Sequence, residues 1–296
     1  MHYAIGDVHG CYDELMALLK TIEERDADAR YIFVGDFIDR GPKVWETLMW
    51  AMDNITAEGK YTAVRGNHEQ MAVNWYYTEF LPWWDEKEKG GTRPMPETLY
   101  DFSLLAVRQK IDRPDILKYA VDFFESLPFS RRMEIETSAG RKVVYRIVHA
   151  WYRDGEEREE IQQECNLWDR NFRGNFKSDE IILHGHTPTI VPEYYRPMEN
   201  NTRPGLIGYK KNDINIDGGC CFGALTAQPC MLCGLCLETL EEIYPCTIAE
   251  RFMQLAQPPI TKRKAKRQEK KYLADHAQVP NAYREELVER YFTASA

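Results

Sequence analysis

No stretch of the sequence approaches the ~18 consecutive apolar residues of a membrane-spanning helix, and this excludes an α-helical membrane protein. The opening residues MHYAIGDVHG also lack a basic region followed by an apolar one, so the expected location is the cytoplasm. Cysteine is sparse: 8 in 296 residues is far from the density of a disulfide scaffold, and a reducing compartment would keep them as thiols. The glycosylation-like triplets at Asn54 and Asn200 then carry no meaning. Positive charge is in deficit, with 38 Lys and Arg against 47 Asp and Glu and a net charge of −9. That balance argues against nucleic acid held through a broad basic surface, so any anion handled must be caught locally and no nucleic-acid partner is expected. Internal repeats and low-complexity tracts are absent. What remains is a chain with 44% hydrophobic and 29% charged residues, long enough to bury a substantial core without disulfides.

Short apolar runs repeatedly stop at a Gly-, Asp- or His-containing turn, as strands ending at a site do. Such runs are His2–Ile5, Tyr31–Val34, Tyr61–Val64, Val143–Val148, Ile181–Leu183 and Ile214–Ile216. Between the first three, Leu15, Leu18, Leu19 and Ile22 fall at helical spacing after Cys11, and Pro42 suits the first turn of a helix through Met52. Alternating strands and helices predict an α/β fold. Two extended runs between Met133 and His149, around Ser138-Ala139-Gly140, predict a hairpin and hence mixed sheets. The segment 72–124, crowded with Trp75, Tyr76, Tyr77, Phe80, Trp83 and Trp84 before Gly90-Gly91, is expected to be a helical cap inserted into a catalytic domain spanning 1–256. Its aromatics favour cap-helix packing over a base-stacking platform. After Pro258-Pro259 a tail, 257–296, holds seven basic and one acidic residue between Lys262 and Lys271; it reads as a solvated helix or a flexible appendage, with Leu287, Val288 and Tyr291 able to dock.

Five of the seven histidines sit in or beside Gly/Asp turns. The turns are Gly6–Gly10 (GDVHG), Gly35–Gly41 (GDFIDRG), Arg65–Glu69 (RGNHE), Val148–Ala150 (VHA) and His184–Pro188 (HGHTP), each after a predicted strand. Ligands of open α/β sheets bind beyond the carboxyl ends of strands, so the turns should converge. A mixed carboxylate, imidazole and amide set suits a pair of divalent ions such as Mn²⁺, Fe²⁺ or Zn²⁺ better than one structural zinc. Two ions need a bridging carboxylate and together acidify a water between them; Asp36 is placed to bridge.

The order GDVHG, GDFIDRG, RGNHE, VHA, HGHTP resembles the phosphoprotein phosphatase branch of the calcineurin-like metallophosphoesterases, from about Tyr3 to Glu242 and nearest its bacterial and phage members. The resemblance implies two mixed β-sheets in a sandwich flanked by helices. It also implies Asp7 and His9 on a first metal, Asp36 as bridge, and Asn67, His149 and His186 on a second, with Mn²⁺ first and Fe²⁺, Zn²⁺ or Mg²⁺ as alternatives. His68 then matches the general acid oriented by Asp39, and Arg40 and Arg170, with Asn67, the groups that hold the substrate phosphate. The segment Asp217–Ala227 resembles the family's final strand pair.

In this reading a metal-activated hydroxide attacks phosphorus directly, and no covalent phosphoenzyme is needed. The leading expectation is a serine/threonine protein phosphatase; the alternative is a bis(5'-nucleosyl)-tetraphosphatase or another nucleotide phosphatase. The substrate partner is accordingly a phosphorylated protein or nucleotide. A non-catalytic scaffold of the same fold is disfavoured by the complete ligand set. His184, two residues before His186 on an extended strand, points the other way and is left out; Glu69 is expected as a buried hydrogen-bonding partner. Cys230, Cys233 and Cys236 match part of an iron–sulfur or zinc spacing, with Cys220, Cys221 or Cys246 as a fourth, but their apolar neighbours favour a buried strand.

Overall fold

The computed structural model describes residues 1–86, 114–170, 179–191, 203–256, 258–276 and 282–293. Two mixed sheets lie at its centre. The first is built from β1 (His2–Ile5), β2 (Arg30–Phe33), β3 (Tyr61–Ala63), β9 (Gly234–Cys236) and β10 (Glu242–Ile243), in the order β10-β9-β1-β2-β3. The second holds β4 (Ser130–Glu136), β5 (Lys142–Val148), β6 (Ile181–His184), β7 (Gly208–Lys210) and β8 (Asp213–Asn215), in the order β4-β5-β6-β8-β7. β1, β2 and β3 run parallel, as do β5, β6 and β8, and antiparallel strands complete both sheets.

Side-chain alternation explains the layering. In β1, Tyr3 and Ile5 face helices while Ala4 faces the second sheet; β2 repeats this with Tyr31 and Phe33 against Ile32. Between the sheets Ala4, Ile32, Val34 and Val64 meet Tyr145, Ile147, Leu183 and Ile214. On the outer face of the first sheet lie α1 (Tyr12–Glu23), α2 (Val44–Asn54), α3 (Asn67–Trp75) and α5 (Pro114–Ser126), which contribute Leu18, Leu48, Val73 and Phe124 to one cluster. The short helix α4 (Leu81–Glu86) follows a π turn at Tyr76–Phe80. On the far face of the second sheet α6 (Glu159–Trp168) brings Cys165 against Val148 and Ile182. The result is helices, sheet, sheet, helix: the layered sandwich that the resemblance implied.

Three local expectations need correction. The second helix begins at Val44, with Lys43 in a non-helical conformation before it (φ −130°, ψ 52°); Pro42 belongs to the preceding turn and is not in the helix. The segment Asp217–Ala227 forms no strand pair: Cys220–Leu225 is a 3-10 helix entered through Gly219 at φ 68°, because consecutive small residues and Gly219 favour a tight turn. Of the cysteine run only Cys236 lies within β9; Cys233 directly precedes it and Cys230 lies in the irregular segment before that, at φ 45°. In the 72–124 segment Trp75, Tyr76 and Phe80 are buried in the first sheet's helical layer, whereas 87–113, including Gly90 and Gly91, lies outside the described residues, as does Asn200.

The carboxy-terminal helices are docked. α7 (Ile248–Leu255) presents Phe252 to Ala265 and Tyr272 of α8 (Lys262–His276). Leu287, the last residue of α9 (Ala282–Leu287), is buried with the inter-sheet cluster, and Val288 and Tyr291 pack beside it.

The sheets approach closely where β1 ends. A Cβ on Gly6 would lie 2.1 Å from the Ile216 carbonyl oxygen, a backbone atom that cannot move alone. Gly6→Ala must therefore part the sheets; we expect a loss of roughly 1–3 kcal/mol from overpacking, read as a lowered thermal midpoint at about 2–4 °C per kcal/mol. An unchanged midpoint would contradict the close approach.

Candidate metal centre

Every turn of the candidate site follows the carboxyl end of a parallel strand. The first two are zipped together: Val8 N and His9 N both donate to Asp36 O at 3.1 and 2.8 Å, and Gly10 N donates to Phe37 O at 2.9 Å. Left-handed backbone recurs at His9 (φ 42°), Asp36 (55°), Asp39 (69°), Arg40 (68°) and His186 (67°). Non-glycine residues adopt it at a cost, which the surrounding structure sustains where it aims side chains.

Asp36 lies at the centre. Its Oδ2 is 3.3 Å from His9 Nε2, 3.4 Å from His149 Nε2 and 4.0 Å from His68 Nε2, while Oδ1 accepts from His68 N at 3.0 Å. A carbonyl can only accept, so the contacts of His9 Nδ1 with Ile38 O (2.8 Å) and of His149 Nδ1 with Val34 O (2.9 Å) put the proton on Nδ1. Nε2 is thereby the atom each ring turns to the cluster and the one a cation would take, displacing any proton there. Asn67 Oδ1 lies 2.8 Å from His149 Nε2 and 3.0 Å from His186 Nδ1. Asp7 Oδ2 accepts from His186 N at 2.9 Å.

The structure thus brings Asp7, His9, Asp36, Asn67, His149 and His186 together, all buried. Among the described residues, two groups have ligand atoms within 4.8 Å of one another: His9, Asp36 and His68, and Asp7, Asp36 and His149. Asp36 belongs to both. Asp7 Oδ1 and His186 Nε2 are buried with no hydrogen-bond partner, an arrangement that is costly unless a cation completes it. The donor set and these orphaned atoms fit a pair of divalent ions.

The acid and phosphate candidates surround this cluster. His68 Nδ1 donates to Asp39 Oδ2 at 2.6 Å, leaving Nε2 turned toward Asp36. Arg40, exposed at the rim, contacts His9 Nε2 through Nη1 and stacks over the Phe222 ring at 5.4 Å. Arg170 Nη1 donates to Thr187 Oγ1 at 2.8 Å and His186 O at 3.3 Å, which sets it beside the last ligand turn. His184 does point away: Nε2 meets Asp213 Oδ1 at 2.7 Å and the ring meets Trp151 edge-on. Glu69 is a clamp, its Oε2 accepting from Asp36 N (2.8 Å) and Gly66 N (3.0 Å) and its Oε1 from Phe37 N (2.9 Å).

Asp217 was not among the sequence candidates, yet it is buried beside Asp7, at the end of the run through Ile216, and accepts from Gly219 N at 2.8 Å. Asp-Gly-Gly after an apolar run carries the same signal as the other turns; reading it as strand concealed it. Thr187 and Phe222, which hold the two arginines, had no comparable signal.

Burial sets the electrostatics. It pushes the Asp36 carboxyl up, but the imidazoles of His149, His68 and His9 outweigh it and hold the group well below the usual range. Burial and the neighbouring Asp217 drive Asp7 well above it. Burial raises Asp217 to about 6, and burial with Asp36 nearby raises Glu69 to about 7. Burial lowers His149, yet Asp36 and Asp7 bring it up to about 9; burial takes His9 and His186 well below the ordinary histidine value. Divalent ions bound among these buried carboxylates would displace their protons.

Replacing one acceptor of the Glu69 clamp tests this. Glu69→Gln turns an amide N–H toward a backbone N–H, so Mn²⁺ affinity by calorimetry should fall ~10–100-fold, as for other supports behind metal ligands. Unaltered affinity would remove the clamp from the design of the site.

Comparison with known proteins agrees with this geometry. The model of the calcineurin-like phosphoesterase family matches residues 3–216. An asymmetrical bis(5'-nucleosyl)-tetraphosphatase of Geobacillus sp. is 29% identical over 241 residues, 75% of this chain and 87% of that protein. A symmetrical bis(5'-nucleosyl)-tetraphosphatase of Methylobacillus flagellatus is 42% identical over 71 residues, 24% of each chain. Serine/threonine-protein phosphatase 1 of Salmonella typhimurium is 40% identical over 72 residues, 24% of this chain and 31% of that one. The match therefore spans only about a quarter to a third of the latter two. A solved structure provisionally named a diadenosine tetraphosphatase shares the fold at a TM-score of 0.50 and 15% identity, covering 82% of this chain and 92% of its own. With residues 3–216 matched by its model, the chain belongs to the calcineurin-like phosphoesterase family and is a metallophosphoesterase.

Proposed function

We propose that this chain hydrolyses dinucleoside polyphosphates at the Asp36 centre, with His68 as general acid, Asp39 as its orienting carboxylate, and Arg40, Arg170 and Asn67 holding the phosphate. The observation that carries the chemistry is the His68–Asp39 pair at 2.6 Å, set against buried candidate ligands that converge on Asp36. The substrate class rests on alignment coverage. Similarity confined to a quarter of the chain is of a length that the ligand turns alone could supply, whereas similarity over 241 residues extends well beyond those turns, to where substrate selection would lie. On that ground the tetraphosphatase reading comes before the protein-phosphatase one. The short match to a serine/threonine phosphatase keeps phosphoserine or phosphothreonine as the second reading.

When bound by Asp7, His9, Asp36, Asn67, His149 and His186, two divalent ions, Mn²⁺ first, supply an acidified water and neutralise phosphoryl charge. The remaining work falls to side chains. Asp39 accepts from His68 Nδ1, so the proton available for donation is on Nε2, the atom facing the cluster; it passes to the leaving oxygen. Arg40 and Arg170 offer fixed N–H donors to the equatorial oxygens, where charge grows during transfer. Phe222 and Thr187 restrict where those guanidinium groups sit, which lowers the entropy lost on binding.

His68→Asn should retain bound Mn²⁺ and lose ~10²–10⁴-fold in kcat on an ester with a poor leaving group, less on an activated aryl ester. Equal losses on both esters would remove the acid role. For substrate class the measurement is kcat/KM, with Mn²⁺ restored after chelation, for diadenosine tetraphosphate and a phosphothreonine peptide. A preference of about tenfold or more for the dinucleotide, roughly 1.4 kcal/mol in the transition state, is the expected result; preference for the peptide would install the second reading.

A further inference from the structure

We propose that the exposed arc of α8 is a binding surface for the phosphate backbone of a nucleic acid. The acidic composition spoke against a broad basic surface; the fold instead gathers positive charge on one helix. Lys262, Arg263, Lys264, Lys266, Arg267, Lys270 and Lys271 are all exposed, while Ala265 and Tyr272 are buried. At about 3.6 residues per turn the buried pair, with half-buried Glu269 and His276, falls on one stripe, and the cations cover the opposite half over about 14 Å of axis.

This helix is fixed in place. Tyr272 donates its hydroxyl to Pro204 O at 2.9 Å, stacks edge-on with Phe252 and sits 4.6 Å from the His276 ring. None of the cations enters a hydrogen bond or ion pair through its side chain with another described residue. Instead they repel each other along the surface: Lys262 with Lys266, Arg263 with Arg267, Lys266 with Lys270 and Arg267 with Lys271 stand four apart. The first turn contains Lys262, Arg263 and Lys264 and no acidic residue, which sets like charge against the positive end of the helix dipole. A helix carrying both penalties is stabilised by an external polyanion.

The surface also narrows the kind of polyanion. An interfacial membrane helix inserts an apolar face, and here that face is already packed against Phe252 and Leu206. A protein partner usually anchors through a cluster of aromatic or aliphatic hot spots in a desolvated pocket; beside the cations this helix exposes one large aliphatic side chain, Leu273, and no aromatic ring. A phosphate backbone requires only a row of cations, and the arginines add bidentate contacts.

The experiment is fluorescence anisotropy of the full-length protein with a labelled 20-nucleotide single strand across 50–300 mM salt. Its comparison is the variant Lys264→Gln/Arg267→Gln/Lys270→Gln/Lys271→Gln. All four sites are exposed and outside the metal centre, so aryl phosphate hydrolysis should be unchanged and report an intact fold. We expect the variant to bind at least tenfold more weakly, with the slope of log K against log salt smaller by about 3, at ~0.7 per charge removed. No binding by the unaltered protein, or equal affinity and slope in the variant, would overturn the proposal. So would tighter retention by phosphatidylserine vesicles or polyglutamate than by the oligonucleotide, which would assign the arc to those partners.

Discussion

The carboxylate of Asp36 is the constraint on which the rest of the structure depends. It is buried, held well below its usual pKa, and faced by imidazoles from three turns. Burial of a charge is unfavourable unless it is paired and hydrogen-bonded, and each requirement is met by a different part of the chain. Glu69 fixes the backbone N–H groups of Asp36 and Phe37, and the Asp36 carbonyl fixes the turn carrying His9. The left-handed conformation at Asp36 then aims its side chain inward. Remove the carboxylate, and the imidazoles and clamps lose their reason to converge.

Two sheets rather than one make this convergence possible. Asp7, Asp36 and Asn67 arrive from turns of the first sheet; His149, His186 and Asp217 arrive from the second. They meet only because the backbone is bare at the seam. Gly6 lies against Ile216 O, and a Cβ on Gly185 would come 1.9 Å from Asp7 Oδ1. Opposing sheets of a sandwich are otherwise about 10 Å apart, too far for a shared ligand set. The same glycines that read as turn residues in the sequence are therefore spacers between layers.

This explains what the sequence could and could not disclose. Strand ends, the hairpin at Ser138–Gly140 and the ligand turns are local signals: apolar runs of period two, followed by Gly, Asp or His. They place β1, β5 and β6 within a residue or so of where the structure has them. Pro42 misled because proline suits both a helix's first turn and the turn before it. Asp217 follows an apolar run as the other site aspartates do, but its neighbours, Gly218-Gly219-Cys220-Cys221, are compatible with either strand or tight turn, and the strand reading hid it beside Asp7 and Arg40. Thr187 and Phe222 could not be read at all, since a hydroxyl or ring that restrains an arginine is defined by tertiary contact alone.

The turn around Asp217 also ties the site to the carboxy-terminal helices. Arg251 on α7 is buried and pairs with Glu14; its Nη2 donates to Cys220 O at 3.0 Å and Cys230 O at 2.8 Å, and its Nε to Pro229 O at 3.0 Å. The loop carrying Asp217 and Phe222 is thus anchored to the helix on which α8 docks through Tyr272. The cluster around Asp36 is built from the strand-end turns. The orientation of Arg40 depends on Phe222, and Phe222 on a loop whose anchor lies in the carboxy-terminal layer. Interactions that tighten or loosen that layer act on Arg40 before they act on the buried cluster around Asp36. The buried arginine is the physical route between the two, because an unpaired guanidinium there would cost more than the small displacement of loop that keeps it bonded.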